Sequence, residues 1–371
     1  MNGSFGRILN DFDEGKISRR QLLQALGAAI VAAPVASFAQ TASGGRSAAP
    51  QDATPLVPPF EATGWKTVWL DHLSYQCTDY RKAAAFYATL MGWKVRSDDG
   101  TQAVLDIGEN SGGIVIRGGL TAPPPAAITD AGLGVSRPPV HAVFDGFAWG
   151  IEPWDADKVK AELDKRGLNP VADNAGDYRS FRVKDPDGFD LAITNGTKAR
   201  RRQGPATAKL PAPAPFEPTG WNTLYLDHIS FEVPDFRRSA AFYQALLGWT
   251  IRLGNGNQAS VQIGDIAGAI IRGNAASRAA ARGDAPAASA APPAPKAANG
   301  PTAAIGHISF GIENWDTERV RAELKKRDVV YVNKEGQREP RPDMTGTLES
   351  FHVPDAMGWD LQIGNKISPT R

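Results

Sequence analysis

Cysteine is nearly absent. Cys77 is the single one in 371 residues, which excludes an intrachain disulfide framework and any zinc site built from thiolates. Histidine is scarce too, with five copies, so each can be weighed singly. Neither sign of charge is in surplus: 41 Lys and Arg against 40 Asp and Glu leave a formal +1. A protein that binds nucleic acid by neutralising phosphates needs a basic excess on some face, so no nucleic-acid partner is expected. The longest apolar stretch, Leu22 to Ala36, falls short of the ~20 residues that a membrane-spanning helix requires. What the chain does have is ordinary globular material, 42% hydrophobic and 22% charged, with an excess of Gly (38) and Pro (28) that points to linkers or low-complexity insertions. Its length suggests two domains.

The N-terminal region reads as an address. Ser18-Arg19-Arg20-Gln21-Leu22-Leu23 resembles a twin-arginine export signal, followed by the short apolar stretch and by Ser37-Phe38-Ala39, small residues at the two positions a signal peptidase reads. Residues 1–39 are therefore expected to be a twin-arginine signal peptide. The implied partner is the twin-arginine export machinery, and the implied location is periplasmic or extracellular, with no stable membrane span after cleavage. Export of an already folded chain agrees with a protein that has no disulfides to form afterwards.

The mature chain is duplicated. Pro59 through Arg96 recurs at an offset of 156 as Pro215 through Arg252. Leu70-Asp71-His72-Leu73-Ser74 matches Leu226-Asp227-His228-Ile229-Ser230, and Ala84-Ala85-Phe86-Tyr87 with Gly92-Trp93 matches Ala240-Ala241-Phe242-Tyr243 with Gly248-Trp249. Further on, Gly150-Ile151-Glu152 matches Gly311-Ile312-Glu313, and Asp185-Pro186-Asp187-Gly188 matches Asp355-Ala356-Met357-Gly358. The offsets drift because insertions fall in loops while the elements persist. The expected organisation is a flexible segment at 40–63, a first domain at 64–196, a linker at 197–219 and a second domain at 220–366. An Ala/Pro-rich loop at 274–302 interrupts the second domain, and Leu120 to Pro139 is its shorter Pro-rich counterpart in the first.

Each half restarts the same order of elements. In the second copy Leu226 to Val233 alternates as a strand. Asp235 caps a helix over Phe236 to Leu247 that Gly248 stops, and strands follow at Trp249–Arg252, Gln258–Ile263 and Ala267–Arg272. His307 to Ile312 opens the next unit, Asp316 caps a helix over Thr317 to Arg327, and strands are expected near Val329–Val332, Glu349–Val353 and Trp359–Ile363. The unit is β-α-β-β-β, used four times.

These motifs resemble the vicinal oxygen chelate superfamily, which includes glyoxalase I, bleomycin- and fosfomycin-resistance proteins and extradiol dioxygenases. The Leu-Asp-His-x-Ser start, the Ala-Ala-Phe-Tyr-x-x-Leu-x-Gly-Trp helix end and the Asp-Pro-Asp-Gly turn carry the resemblance over nearly all of 66–196 and 222–366. It implies an α+β fold of two tandem domains, each of two β-α-β-β-β units curling into a half-open mixed sheet. The concave face would hold a divalent metal and a bidentate oxygen ligand.

The same resemblance implies metal ligands on the first strand of each unit and a Glu on the last. In the second copy these positions fall on His228, His307 and Gln362, the last a Gln where Glu is usual. In the first copy they fall on His72, Gly146 and Ala192, so that domain is expected to be metal-free. Two imidazoles suit Fe, Mn, Zn or Ni, and a neutral amide oxygen coordinates more weakly than a carboxylate. Asp360 sits two residues before Gln362, on the same strand face, as a substitute ligand or base. His352 can transfer protons if it faces the cup and is otherwise an exposed surface residue. Asp71 and Asp227 should point away from their neighbouring histidines and cap strand ends. His141, in a Pro-rich loop, should be exposed, and Trp93 and Trp249 should be core. Cys77 lacks a partnered base. Three functions stay open: a metal-dependent lyase or dioxygenase acting on a small vicinal-oxygen molecule in the second domain, a metal-free small-molecule binding protein of the bleomycin-resistance type, and an envelope interaction module.

Overall fold

The computed structural model describes residues 55–109, 111–121, 135–197, 206, 208–253, 257–274, 277 and 303–368. The expected signal peptide at 1–39, most of the 40–63 segment, part of the linker and nearly all of the 274–302 loop lie outside the described residues. Among the described residues no helix is long and apolar enough to cross a membrane.

The first copy runs β1 (Lys66–Cys77), α1 (Tyr80–Met91), β2 (Lys94–Asp98), β3 (Gln102–Asp106), β4 (Gly113–Arg117), β5 (Val135–Ser136), β6 (Ala142–Glu152), α2 (Ala156–Lys165), β7 (Val171–Ala172), β8 (Ser180–Lys184) and β9 (Asp190–Thr194). The second runs β10 (Thr223–Val233), α3 (Phe236–Leu247), β11 (Thr250–Leu253), β12 (Gln258–Ile263), β13 (Ala267–Gly273), β14 (Ala304–Ile312), α4 (Thr317–Lys326), β15 (Tyr331–Asn333), β16 (Arg338–Glu339), β17 (Arg341–Thr345), β18 (Leu348–Pro354) and β19 (Asp360–Gly364). Local chemistry sets the helix ends as the sequence implies. The Asp235 carboxylate accepts from the backbone N–H groups of Arg237 and Arg238, and Gly248 stops α3 at φ 69°, a conformation that favours glycine.

Each copy builds one eight-stranded mixed sheet, in the orders β2-β3-β4-β1-β6-β9-β8-β7 and β11-β12-β13-β10-β14-β19-β18-β17. The two central strands of each sheet are antiparallel, and each has a parallel outer neighbour, β4 on β1 and β9 on β6 in the first copy. Edge strands differ at the two ends, so neither sheet closes into a barrel.

One expected strand is reassigned. The stretch near Val329–Val332 does not join the large sheet. Tyr331–Asn333 instead pairs with β16 and with β5 of the first copy, making a separate three-stranded sheet. The sheet edge is taken by β17, whose sequence Arg-Pro-Asp-Met-Thr carries too little apolar alternation to announce a strand.

The two copies share one continuous core. Trp93 and Trp249 are buried in it as expected, and each indole N–H crosses to the other copy, to Thr223 Oγ1 at 2.9 Å and Thr67 Oγ1 at 3.0 Å. The acidic turns cross as well. Tyr243 donates to Asp185 at 2.7 Å, while Tyr75 and Tyr87 donate to Asp355 at 2.6 and 2.8 Å. A motif that reads as a local turn thus also ties one copy to the other.

Candidate functional site in the second cup

Strand pairing lines up a row of side chains on one face of the second sheet. Arg341 on β17 lies opposite His352 on β18, His352 opposite Gln362 on β19, Gln362 opposite Ser309 on β14, and Ser309 opposite His228 on β10. Opposed residues of neighbouring strands project from the same face. Two positions along each strand, His307 and Asp360 extend the same surface.

A β-bulge sets the first histidine. Pairing of β10 with β14 passes from Leu226↔Phe310 directly to His228↔Ser309, so Asp227 is an extra residue. Strict alternation would turn its carboxylate away as a strand-end cap. The bulge cancels that alternation, and Asp227 Oδ2 lies 2.7 Å from Nδ1 of His228. Asp71 and His72 repeat the arrangement at a matching bulge, also at 2.7 Å. Burial pushes the Asp227 carboxyl up, but the His228 imidazole and Lys366, whose Nζ is 2.7 Å from Oδ1, outweigh it and hold it below the usual carboxylate range. An ionised Asp227 accepts a hydrogen bond from Nδ1–H of His228, which orients the ring with Nε2 as the atom left for a ligand role.

That Nε2 lies 3.0 Å from Nε2 of His307. Burial, with His352 and His228 adding to it, holds His307 well below the usual histidine range, so its imidazole is neutral. Two nitrogens bound at about 2.1 Å to one ion at a right angle lie about 3.0 Å apart. The pair therefore has the spacing of two ligands to one cation.

Gln362, in the same row, offers a third donor. Its Nε2 donates to Ser350 Oγ at 2.8 Å, and that hydroxyl donates its own proton to the carbonyl of Asp343 at 2.9 Å. Ser350 must then accept from the amide nitrogen, which fixes the orientation of the amide and leaves Oε1 buried without a hydrogen-bond partner. An orphaned acceptor of this kind is costly unless something electropositive meets it. The residues present fit a divalent ion with the donor set His228 Nε2, His307 Nε2 and Gln362 Oε1.

His352 is 2% exposed, not a surface residue. The paired strands β17 and β19 enclose it, with Nδ1 3.1 Å from Asp360 Oδ2 and Nε2 3.8 Å from Asp343 Oδ2. Asp360 also accepts from Tyr331 at 2.9 Å and from Arg137 at 3.2 Å, with Arg341 at 3.8 Å. Burial raises its carboxyl, yet His352 and the two guanidinium groups keep it below the usual range. His307, His352 and Asp360 place ligand atoms within 4.8 Å of one another, the one such group among the described residues. With both oxygens of Asp360 already engaged, the carboxylate fits the orientation of His352 better than metal ligation.

The first cup lacks this set. Gly146 and Ala192 occupy the second and third positions, and Arg117 bonds to Ser74 and Asp145 beside them. His141 is half-buried, its backbone N–H donating to the Met357 carbonyl at 2.7 Å, and so is not the exposed loop residue expected. Cys77 is fully buried, with its thiol pushed up to about 12 by burial, then by Asp355. Sequence reasoning did not reach Arg137, Arg341 and Tyr331. The first lies in a Pro-rich stretch of the other copy and the third on the reassigned strand.

No curated protein matches the chain. Among solved structures, an Mn(II)-bound glyoxalase from Novosphingobium aromaticivorans is similar at 14% identity and TM-score 0.51, over 81% of this chain and 82% of that one. An extradiol ring-cleaving dioxygenase from B. fuscum gives 16% and 0.53, over 84% and 75%. Homoprotocatechuate 2,3-dioxygenase from Arthrobacter globiformis gives 18% and 0.51, over 84% and 83%. Identities this low speak for a common fold. The sequence itself matches one family profile twice, over residues 69–193 and 225–363, and the chain belongs to that family, the glyoxalase/bleomycin resistance protein/dioxygenase superfamily.

Proposed function

We propose that the second cup is a metal-dependent active site, of lyase or dioxygenase type, acting on a small molecule that offers two vicinal oxygens. The observation that carries this reading is the approach of two Nε2 atoms to 3.0 Å, on a sheet face that also carries Gln362, whose buried Oε1 has no hydrogen-bond partner. Held by His228, His307 and Gln362, an ion of Fe, Mn, Zn or Ni would supply Lewis-acid polarisation of the substrate oxygens. Asp227 orients the His228 ring and burial keeps His307 neutral, so each imidazole has one ring nitrogen that can serve as a ligand. His352 takes or returns a proton at Nε2, while Asp360 on its Nδ1 stabilises the cationic form. The first copy, without the second and third donors, would serve as scaffold. That the structural neighbours include a metal-bound glyoxalase and ring-cleaving dioxygenases supports the reaction class.

The test is metal content of the full chain purified without chelators. One equivalent per chain, lost in His307→Ala, is the expected result; no metal after loading with each of the four ions would overturn the reading. We also propose twin-arginine export, on the strength of Ser18 to Leu23 and Ser37 to Ala39. A reporter fused to residues 1–45 should stay inside cells when Arg19 and Arg20 become Lys, and unchanged export would remove this part.

A further inference from the structure

Resting on that reading of the second cup, we infer that its substrate carries a carboxylate, received by Arg137 and Arg341, and that the first copy supplies half of the receptor. Asp227 has Lys366, Asp360 has Arg137, and Asp343 has Arg341, whose charge helps lower its carboxyl. Each carboxylate of the cup thus has a cation of its own. A divalent ion held by two neutral imidazoles and a neutral amide would bring two positive charges that these carboxylates, each already matched, do not offset. A ligand with negative charge completes the balance, since a net charge in a partly buried site is costly.

The position of that negative charge follows from unused donors. Nε of Arg137 and Nε of Arg341 are both buried and have no hydrogen-bond partner. The two guanidinium groups converge on the same oxygen of Asp360, Arg137 at 3.2 Å and Arg341 at 3.8 Å. Arg341 heads the row that leads through His352 and Gln362 to His228. Planar guanidinium forks match carboxylates in pairs of parallel hydrogen bonds, and an unmet buried N–H is a standing cost that such a ligand removes.

Arg137 comes from the first copy, and its delivery is built in. Ser136 and Val135 pair with Val332 and Asn333 of the second copy. Three residues on, the Pro139 carbonyl lies 2.2 Å from where a Cβ on Gly358 would be, so only glycine lets the two segments approach. His141 then bonds to Met357. The segment is clasped at both ends, with Arg137 between the clasps. A copy that has lost its own ligands retains a function in its partner's site.

The experiment uses the full chain loaded with Mn(II) and titrated calorimetrically with 3,4-dihydroxybenzoate and with its methyl ester, which differ in the carboxylate charge. Metal content and thermal unfolding are measured on every sample. Wild type should bind the acid at least about 10-fold more tightly than the ester, as two charge-assisted contacts allow. Arg137→Gln and Arg341→Gln should each bring the ratio towards one while the metal stays at one per chain. Arg137→Lys, which retains the charge, should keep part of the preference and covers the case in which Arg137→Gln does not fold. Equal binding of acid and ester by metal-loaded wild type would overturn the subsite and leave the metal reading standing. So would a preference that survives both Gln substitutions. A preference that Arg137→Gln abolishes in protein holding no metal would support the subsite and overturn the metal reading.

Discussion

Replacing Asp185 by Asn should change how stability depends on pH, by an amount the structure sets. Oδ1 of Asp185 accepts from the N–H groups of Asp187 at 3.0 Å and Phe189 at 2.8 Å, and Oδ2 accepts from Tyr243 of the other copy at 2.7 Å. Burial nevertheless dominates and pushes the carboxyl from 3.8 up to about 6. In the unfolded chain the group has its ordinary value, so between pH 3.8 and about 6 the folded state holds more protons. Stability from this residue is then full below pH 3.8 and is lost as pH rises through about 6. At 1.36 kcal/mol per pH unit the loss is roughly 3 kcal/mol. Asn keeps the carbonyl that accepts the two turn amides and can donate to the Tyr243 oxygen, so the interlock survives without the charge. Urea unfolding followed by tryptophan fluorescence at pH 4 and pH 7, at constant salt, measures the difference. Relative to Asp185→Asn, wild type should lose most of that ~3 kcal/mol on going from pH 4 to pH 7. A difference between the two proteins that stays constant across this range would refute the reasoning, because every other titrating group is common to both.

Gln362→Glu restores the carboxylate usual at this position and can accept from Ser350 in place of donating to it. It should tighten metal binding by about 10-fold or more, read by competition with a chelator; weaker binding would show that Oε1 is not a ligand. Cys77, fully buried with its thiol near 12, should resist alkylation at pH 8 in the folded protein and react once urea unfolds it; prompt reaction under native conditions would contradict its burial.

The fold was largely legible because its signals are local or repeated. A duplication at an offset of 156 shows itself without any structure, and the four Asp N-caps with their following apolar stripes mark the helices. The first strands of the repeat read well because they alternate. The strand β17 did not, since an exposed edge strand needs little apolar pattern. At the site, His228, His307 and Gln362 could be picked out one by one from motif positions. Period two alone turns Asp227 away from His228, and a single-residue bulge reverses that expectation. His352 was hard to place because burial depends on which strands flank it, and one of those flanks was the unread β17.

What the sequence by itself determined is therefore the repeated unit, its helices and turns, and the loss of donors at Gly146 and Ala192. Each is encoded within a few residues, or by comparison of one copy with the other. Only the tertiary structure decided which groups meet across copies: the hydroxyls of Tyr75 and Tyr87 on Asp355, that of Tyr243 on Asp185, and Arg137 on Asp360. These partners stand 280, 268, 58 and 223 residues apart along the chain. No local periodicity or propensity carries information over such separations. They are fixed by the way two curved sheets bury their apolar faces together.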